Sequence, residues 1–139
     1  MAIATAAGRV RWRAYLYAAP AAVWAGVLLA LAVARNLGPL EAVQIVPQQD
    51  KLYHFVEYLV LAALIVLALS RTGRWVPVER FLLTVSLSAL YGLLLEAMQA
   101  FVPGRTASAL DAVANTLGAV VGAALLLWAH GRLPRRRKG

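Results

Sequence analysis

At 139 residues the chain has room for one domain, and with 62% hydrophobic against 14% charged residues it is too apolar for an ordinary soluble core. It has no cysteine, which excludes disulfides and thiol chemistry, and its two histidines, His54 and His130, are too far apart in sequence to suggest a zinc site, so neither metal nor cofactor is expected. The formal charge of +8 raises nucleic acid as a partner, but the basic residues sit at the ends of apolar runs rather than among exposed aromatics, so membrane topology is expected to account for them and no nucleic acid is.

Arg9, Arg11 and Arg13 give way to an apolar run from Ala14 to Ala34, long enough for a bilayer core that needs about 20 residues. A first helix is therefore predicted over 14–34, with Pro20 kinking it or marking its first turns. A cleaved signal peptide competes, since Ala32, Val33 and Ala34 resemble a small-residue cleavage site, although the run exceeds the usual signal core. Residues 36–49, broken by Gly38, Pro39 and Pro47, are too short to span and read equally as an interfacial cover or a plain loop.

A second helix is predicted over 50–69, with Asp50 placed to cap it. Asp50, His54 and Glu57 follow the spacing of one helical face, with Tyr58 beside it. Ser70 to Val78, holding Arg71, Gly73, Arg74 and Pro77, reads as a short polar turn. A third helix follows over 79–101 and a fourth over 107–130. Residues 131–139 form a basic tail expected to be disordered and to sit on anionic inner-leaflet lipids. Trp12, Trp75 and Trp128 lie near helix ends as interfacial anchors; Trp24 lies too deep for that role. The predicted fold class is all-α, a four-helix transmembrane bundle.

Short loops rich in Lys and Arg remain in the cytoplasm. The N-terminus, the turn after the second helix with Arg80 at the start of the third, and the C-terminus carry eleven of the fourteen basic residues, all but Arg35, Lys51 and Arg105, so both termini are predicted cytoplasmic. Five of the six acidic residues, all but Glu79, then fall on the outer side. One outward-facing polar pocket is expected there, its deeper members Glu96 and Asn115 roughly 10 Å below the helix ends.

The stretch from Tyr91 to Gly122 carries most of that pocket. Glu96 and Gln99 share one helix face and Asp111 and Asn115 another, flanking a turn from Phe101 to Thr106 that holds Pro103, Gly104 and Arg105. An ionisable group within a long apolar helix is costly unless it faces protein or water, which makes Glu96 a site candidate by default. Gly118 and Gly122, four residues apart, suit a close helix contact.

Two blocks carry a resemblance. Asp50, Lys51, His54, Phe55 and Tyr58, followed by Tyr91, Glu96, Gln99, Pro103, Gly104, Arg105, Ser108, Asp111, Asn115 and Gly118, are similar in kind and spacing to the VanZ-like membrane proteins of bacteria. The resemblance spans about Asp50 to Gly122, does not include Glu57, and implies a single VanZ-like domain over 1–139 in the bacterial inner membrane. The member that gives this family its name is associated with low-level teicoplanin resistance. An event at the outer face, near envelope lipids or wall precursors, is what the resemblance implies for this chain.

Three readings of the cluster stay open. Glu96, Arg105 and Asp111 can form a structural ion-pair network that fixes helix packing. Asp50, Lys51, Tyr58, Gln99, Arg105 and Asn115 can bind a lipid or lipid-linked precursor headgroup, with Arg105 beside a glycine turn as an anion clamp or, equally, snorkelling to the interface. His54 can act as general base in a hydrolase or transferase, with Glu96 or Asp111 as orienting carboxylate, although no serine lies in a nucleophile-elbow setting. A transporter is a further possibility, but four helices with no visible internal repeat make a small machine for alternating access unless the chain forms a homo-oligomer.

Overall fold

A computed structural model describes residues 3–34, 49–103 and 107–132. They form four helices: α1 (Ile3–Val33), α2 (Gln49–Thr72), α3 (Pro77–Gln99) and α4 (Ala109–Arg132). Each is long and apolar enough to cross a membrane, and no strand occurs among the described residues, so the all-α, four-helix expectation holds.

The helix ends differ from expectation for local reasons. α1 begins at Ile3 rather than at residue 14, because alanine and arginine both favour helix and the backbone continues past the apolar part, which starts at Leu16. It also runs through Pro20 without interruption. α2 continues to Thr72, whose hydroxyl donates to the Leu69 carbonyl at 2.8 Å, and stops at Gly73, where φ is +66°. A left-handed residue just past a helix end is a common stop, and glycine takes it without a Cβ penalty. α3 starts at Pro77, a position where a missing N–H costs nothing, and the Glu79 carboxylate accepts the Val76 N–H at 3.0 Å. The turn between α2 and α3 is thereby shortened to residues 73–76.

A small-residue seam between α2 and α4 sets the packing. α2 and α4 run parallel and lie closest, because a methyl group built on Gly118 would overlap the Phe55 carbonyl and one on Gly122 the Leu59 carbonyl. Where apolar lipid removes most of the hydrophobic drive between helices, such backbone approach is a main source of association. Below these glycines Ala62 and Val66 of α2 meet Ala119 and Ala123 of α4, covered by Phe81 and Val85 of α3.

Among the described residues α1 packs on α2 and α3 but not on α4. Its Leu28 and Ala32 join Tyr58, Leu61 and Leu95 in a second cluster. Two hydrogen bonds tie it down: the Trp24 indole N–H donates to the Glu57 carbonyl at 2.9 Å, and the Tyr91 hydroxyl donates to the Ala25 carbonyl. Trp24 thus joins α1 to α2. The opposite end of the same pair is marked by Arg71, whose guanidinium lies 5.1 Å from the Tyr17 ring centre.

With the helices alternating in direction, the start of α1 and the end of α4 share one end of the bundle. The other end receives the starts of α2 and α4 and the finish of α3. Gln49 of the predicted interfacial segment opens α2, and Gly131 and Arg132 of the predicted tail extend α4 as helix; residues 36–48, 133–139 and Arg105 with Gly104 lie outside the described residues.

Candidate functional site

α3 ends at Gln99, and its chain tightens into turns through Phe101 and Val102, with N–H bonds to Met98 and Gln99 carbonyls at 3.1 and 2.9 Å. α4 then opens with Ala109, and Asp111 and Ala112 N–H groups donate to the Ser108 carbonyl at 3.1 and 3.2 Å. The first N–H groups of a helix lack intrahelical partners and carry partial positive charge. Glu96 reaches across this junction: its Oε2 accepts the Ser108 backbone N–H at 3.1 Å. A buried carboxylate near the end of α3 therefore anchors the entry to α4.

Because α2 and α4 are parallel and close, the first two turns of each face one another. Lys51 Nζ lies 2.7 Å from Asp50 Oδ2 and 3.2 Å from Asp111 Oδ1, bridging the two helix starts. One turn deeper, His54 Nδ1 lies 3.1 Å from Asn115 Oδ1. A carboxamide oxygen only accepts, so with this assigned amide orientation Nδ1 carries the proton. The other ring nitrogen, Nε2, is 3.8 Å from Asp111 Oδ2, beyond hydrogen-bond length.

The cluster is enclosed. Glu96 is 6% exposed, Asp111 8% and Asn115 1%, and Gln99, one turn after Glu96 on α3, is also buried. Gly92, one turn before Glu96, makes room for the amide: a Cβ there would lie 3.1 Å from Asn115 Nδ2 and 3.2 Å from the Tyr58 ring. Tyr58, expected as a binding residue, sits beneath the cluster with its ring in the apolar core and its buried hydroxyl without a hydrogen-bond partner among the described residues. Leaving such a group unsatisfied costs about 1–3 kcal/mol.

Of the residues singled out in the sequence, Lys51, His54, Glu96, Asp111 and Asn115 come together, drawn from three helices. Asp50 stands at the exposed rim, held by Lys51. His54 meets the carboxylate of Asp111 on another helix, whereas Glu57, on its own helix, uses its backbone carbonyl to receive Trp24. Gly92 went unnoticed in the sequence; its signal was a small residue four positions before Glu96 on the same face. One imidazole nitrogen and two carboxylate oxygens, from His54, Glu96 and Asp111, lie within 4.8 Å of one another, a donor set able to receive a cation.

No curated protein and no solved structure matches the chain. A family model described as VanZ/LLP1 matches residues 28–130, from the last turns of α1 through nearly all of α4. That span takes in every residue of the polar cluster and both glycines of the α2–α4 seam, and with its four apolar helices the chain belongs to the VanZ/LLP1 family of membrane proteins.

Proposed function

We propose that this protein binds or modulates the headgroup of a cell-envelope lipid or lipid-linked wall precursor at the outer face of the bacterial inner membrane. The observation that carries the reading is the meeting of Lys51, His54, Glu96, Asp111 and Asn115, from three apolar helices, at one end of the bundle. Polar side chains at that level are costly in lipid unless they face protein, water or a polar ligand. The predominance of Lys and Arg at the opposite end supports an outward position for the cluster. The unpartnered Tyr58 hydroxyl beneath it adds a donor that a polar ligand or water would satisfy. A link to glycopeptide resistance follows from the family resemblance.

Purified protein in neutral detergent is expected to gain thermal stability with phosphatidylglycerol or a polyprenyl phosphate and to gain none with phosphatidylcholine. Lys51→Ala is expected to remove that gain. Equal stabilisation by all three lipids, or a gain unaffected by Lys51→Ala, would sink the reading.

A second reading, a hydrolase or transferase acting on a lipid-linked substrate, draws on one observation. Asn115 fixes the His54 ring through Nδ1 and leaves Nε2 without a direct hydrogen bond to the nearby carboxylate, as a general base requires. Loss of a lipid-conversion activity in His54→Ala, with headgroup stabilisation intact, would favour it. An unchanged lipid profile on deleting the protein would count against it.

A further inference from the structure

The carboxylates of the cluster outnumber its cations among the described residues. Among the described residues Asp50, Glu96 and Asp111 share a single lysine, Lys51, which is already divided between Asp50 and Asp111. Glu96 and Asp111 are both more than nine-tenths buried between apolar helices, where an uncompensated charge is strongly disfavoured.

The orientation of His54 adds an independent observation. With Nδ1 donating to Asn115 Oδ1 at 3.1 Å, a neutral ring leaves Nε2 as its unprotonated nitrogen, 3.8 Å from Asp111 Oδ2. Two electron-rich atoms are then neighbours with no proton between them, too far apart for a hydrogen bond. That spacing suits a cation about 2.0–2.2 Å from each. An imidazole that gives its second N–H to a carbonyl oxygen is the usual arrangement of a metal-bound histidine. Glu96 is held in a comparable way, its Oε2 fixed by the Ser108 N–H at 3.1 Å. The Tyr58 ring lies in the layer just below, close to Asn115 across Gly92, and its buried hydroxyl has no hydrogen-bond partner among the described residues.

We propose that His54, Glu96 and Asp111, contributed by α2, α3 and α4 respectively, form a binding site for a divalent transition-metal cation, with Asn115 and Ser108 as the groups that orient two of its ligands. One nitrogen and two carboxylate oxygens select Zn2+ or Mn2+ over the all-oxygen coordination that Mg2+ and Ca2+ prefer. The inference deepens the headgroup reading, since a cation there offers an anionic headgroup its counter-charge, but metal uptake needs no headgroup and stands or falls alone.

The test uses the full chain, purified in neutral detergent, stripped with chelator and titrated calorimetrically with Zn2+, Mn2+ or Mg2+. One equivalent of Zn2+ or Mn2+ per chain is expected, with Mg2+ bound at least tenfold more weakly. His54→Gln and the paired Glu96→Gln, Asp111→Asn variant are expected to lose that uptake, Asn115→Ala to weaken it roughly 10- to 100-fold, and Asp50→Asn to retain it. Thermal midpoints in chelator separate binding from folding: His54→Gln is expected to match the wild type without metal and to lose the metal-dependent rise. No stoichiometric uptake by the wild type, or the same uptake by the triad variants, overturns the proposal. Metal uptake without headgroup stabilisation would leave the site standing and remove the headgroup reading.

Discussion

Substituting Gly118 by alanine should loosen the bundle and open the site together. An ideal Cβ on Gly118 would stand 2.9 Å from the Phe55 carbonyl carbon and 3.1 Å from the Leu59 amide nitrogen, and nearer still to the Phe55 carbonyl oxygen. Carbon atoms in contact prefer about 3.5–4.0 Å and the carbonyl oxygen is nearer than the carbon, so α4 must retreat from α2 by on the order of 1 Å. The obstacle is helix backbone, which cannot rotate aside as a side chain would. Overpacking of this kind costs about 1–3 kcal/mol. The same displacement stretches the bonds that cross the seam, His54 to Asn115 at 3.1 Å and Lys51 to Asp111 at 3.2 Å, past hydrogen-bond length.

Equilibrium unfolding in mixed micelles, followed by circular dichroism, measures the effect. Gly26 supplies the control, because nothing lies within 4 Å of a Cβ placed there. Gly26→Ala is expected to be neutral or to stabilise by about 0.5–1 kcal/mol through helix propensity, whereas Gly118→Ala lowers stability by about 1–3 kcal/mol. Gly122→Ala, over the Leu59 carbonyl, should act in the same direction and non-additively with Gly118→Ala, since both push on one interface. If Gly118→Ala proved as stable as Gly26→Ala, the close α2–α4 seam would be wrong, and with it the geometry of the site.

Three further outcomes follow from other parts of the molecule. Trp24→Phe and Tyr91→Phe each remove one bond that holds α1, and each is expected to lower stability by about 0.5–1.5 kcal/mol in the same unfolding measurement; no change in either would mean these bonds do not anchor the helix. Thr84→Val should be neutral or stabilising, because the Thr84 hydroxyl is fully buried without a partner; a loss above about 1 kcal/mol would show a partner after all. The chain has no cysteine, so single cysteines report topology cleanly. In whole cells Ala107→Cys is expected to react with a membrane-impermeant maleimide and Arg74→Cys only after lysis, and the reverse pattern would invert the proposed orientation.

Much of the architecture can be read from hydropathy alone, because apolar runs of bilayer length leave a chain few alternatives to helices. Helix ends were less legible. Ile3 to Arg13 joins α1 through propensity rather than through an apolar pattern, and the stop at Gly73 depends on one dihedral angle. The polar residues stood out against their apolar surroundings, and alternating helix direction was enough to bring Lys51 and His54 to the level of Glu96, Asp111 and Asn115. Which of them touch was not encoded in any helical period. Same-helix spacing pointed His54 toward Asp50 and Glu57, yet its close partners, Asn115 and Asp111, lie on α4, because Gly118 and Gly122 draw that helix onto α2. Trp24 was unreadable for a related reason: its acceptor is a backbone carbonyl on a neighbouring helix, which leaves no mark in side-chain patterns.

Native mass spectrometry of the protein released from its own membrane in mild detergent tests most directly whether the polar end holds an envelope headgroup. A retained anionic lipid or lipid-linked precursor of defined mass, absent from Lys51→Ala, is the predicted spectrum. A bare chain, or the same lipids on both proteins, would contradict the account.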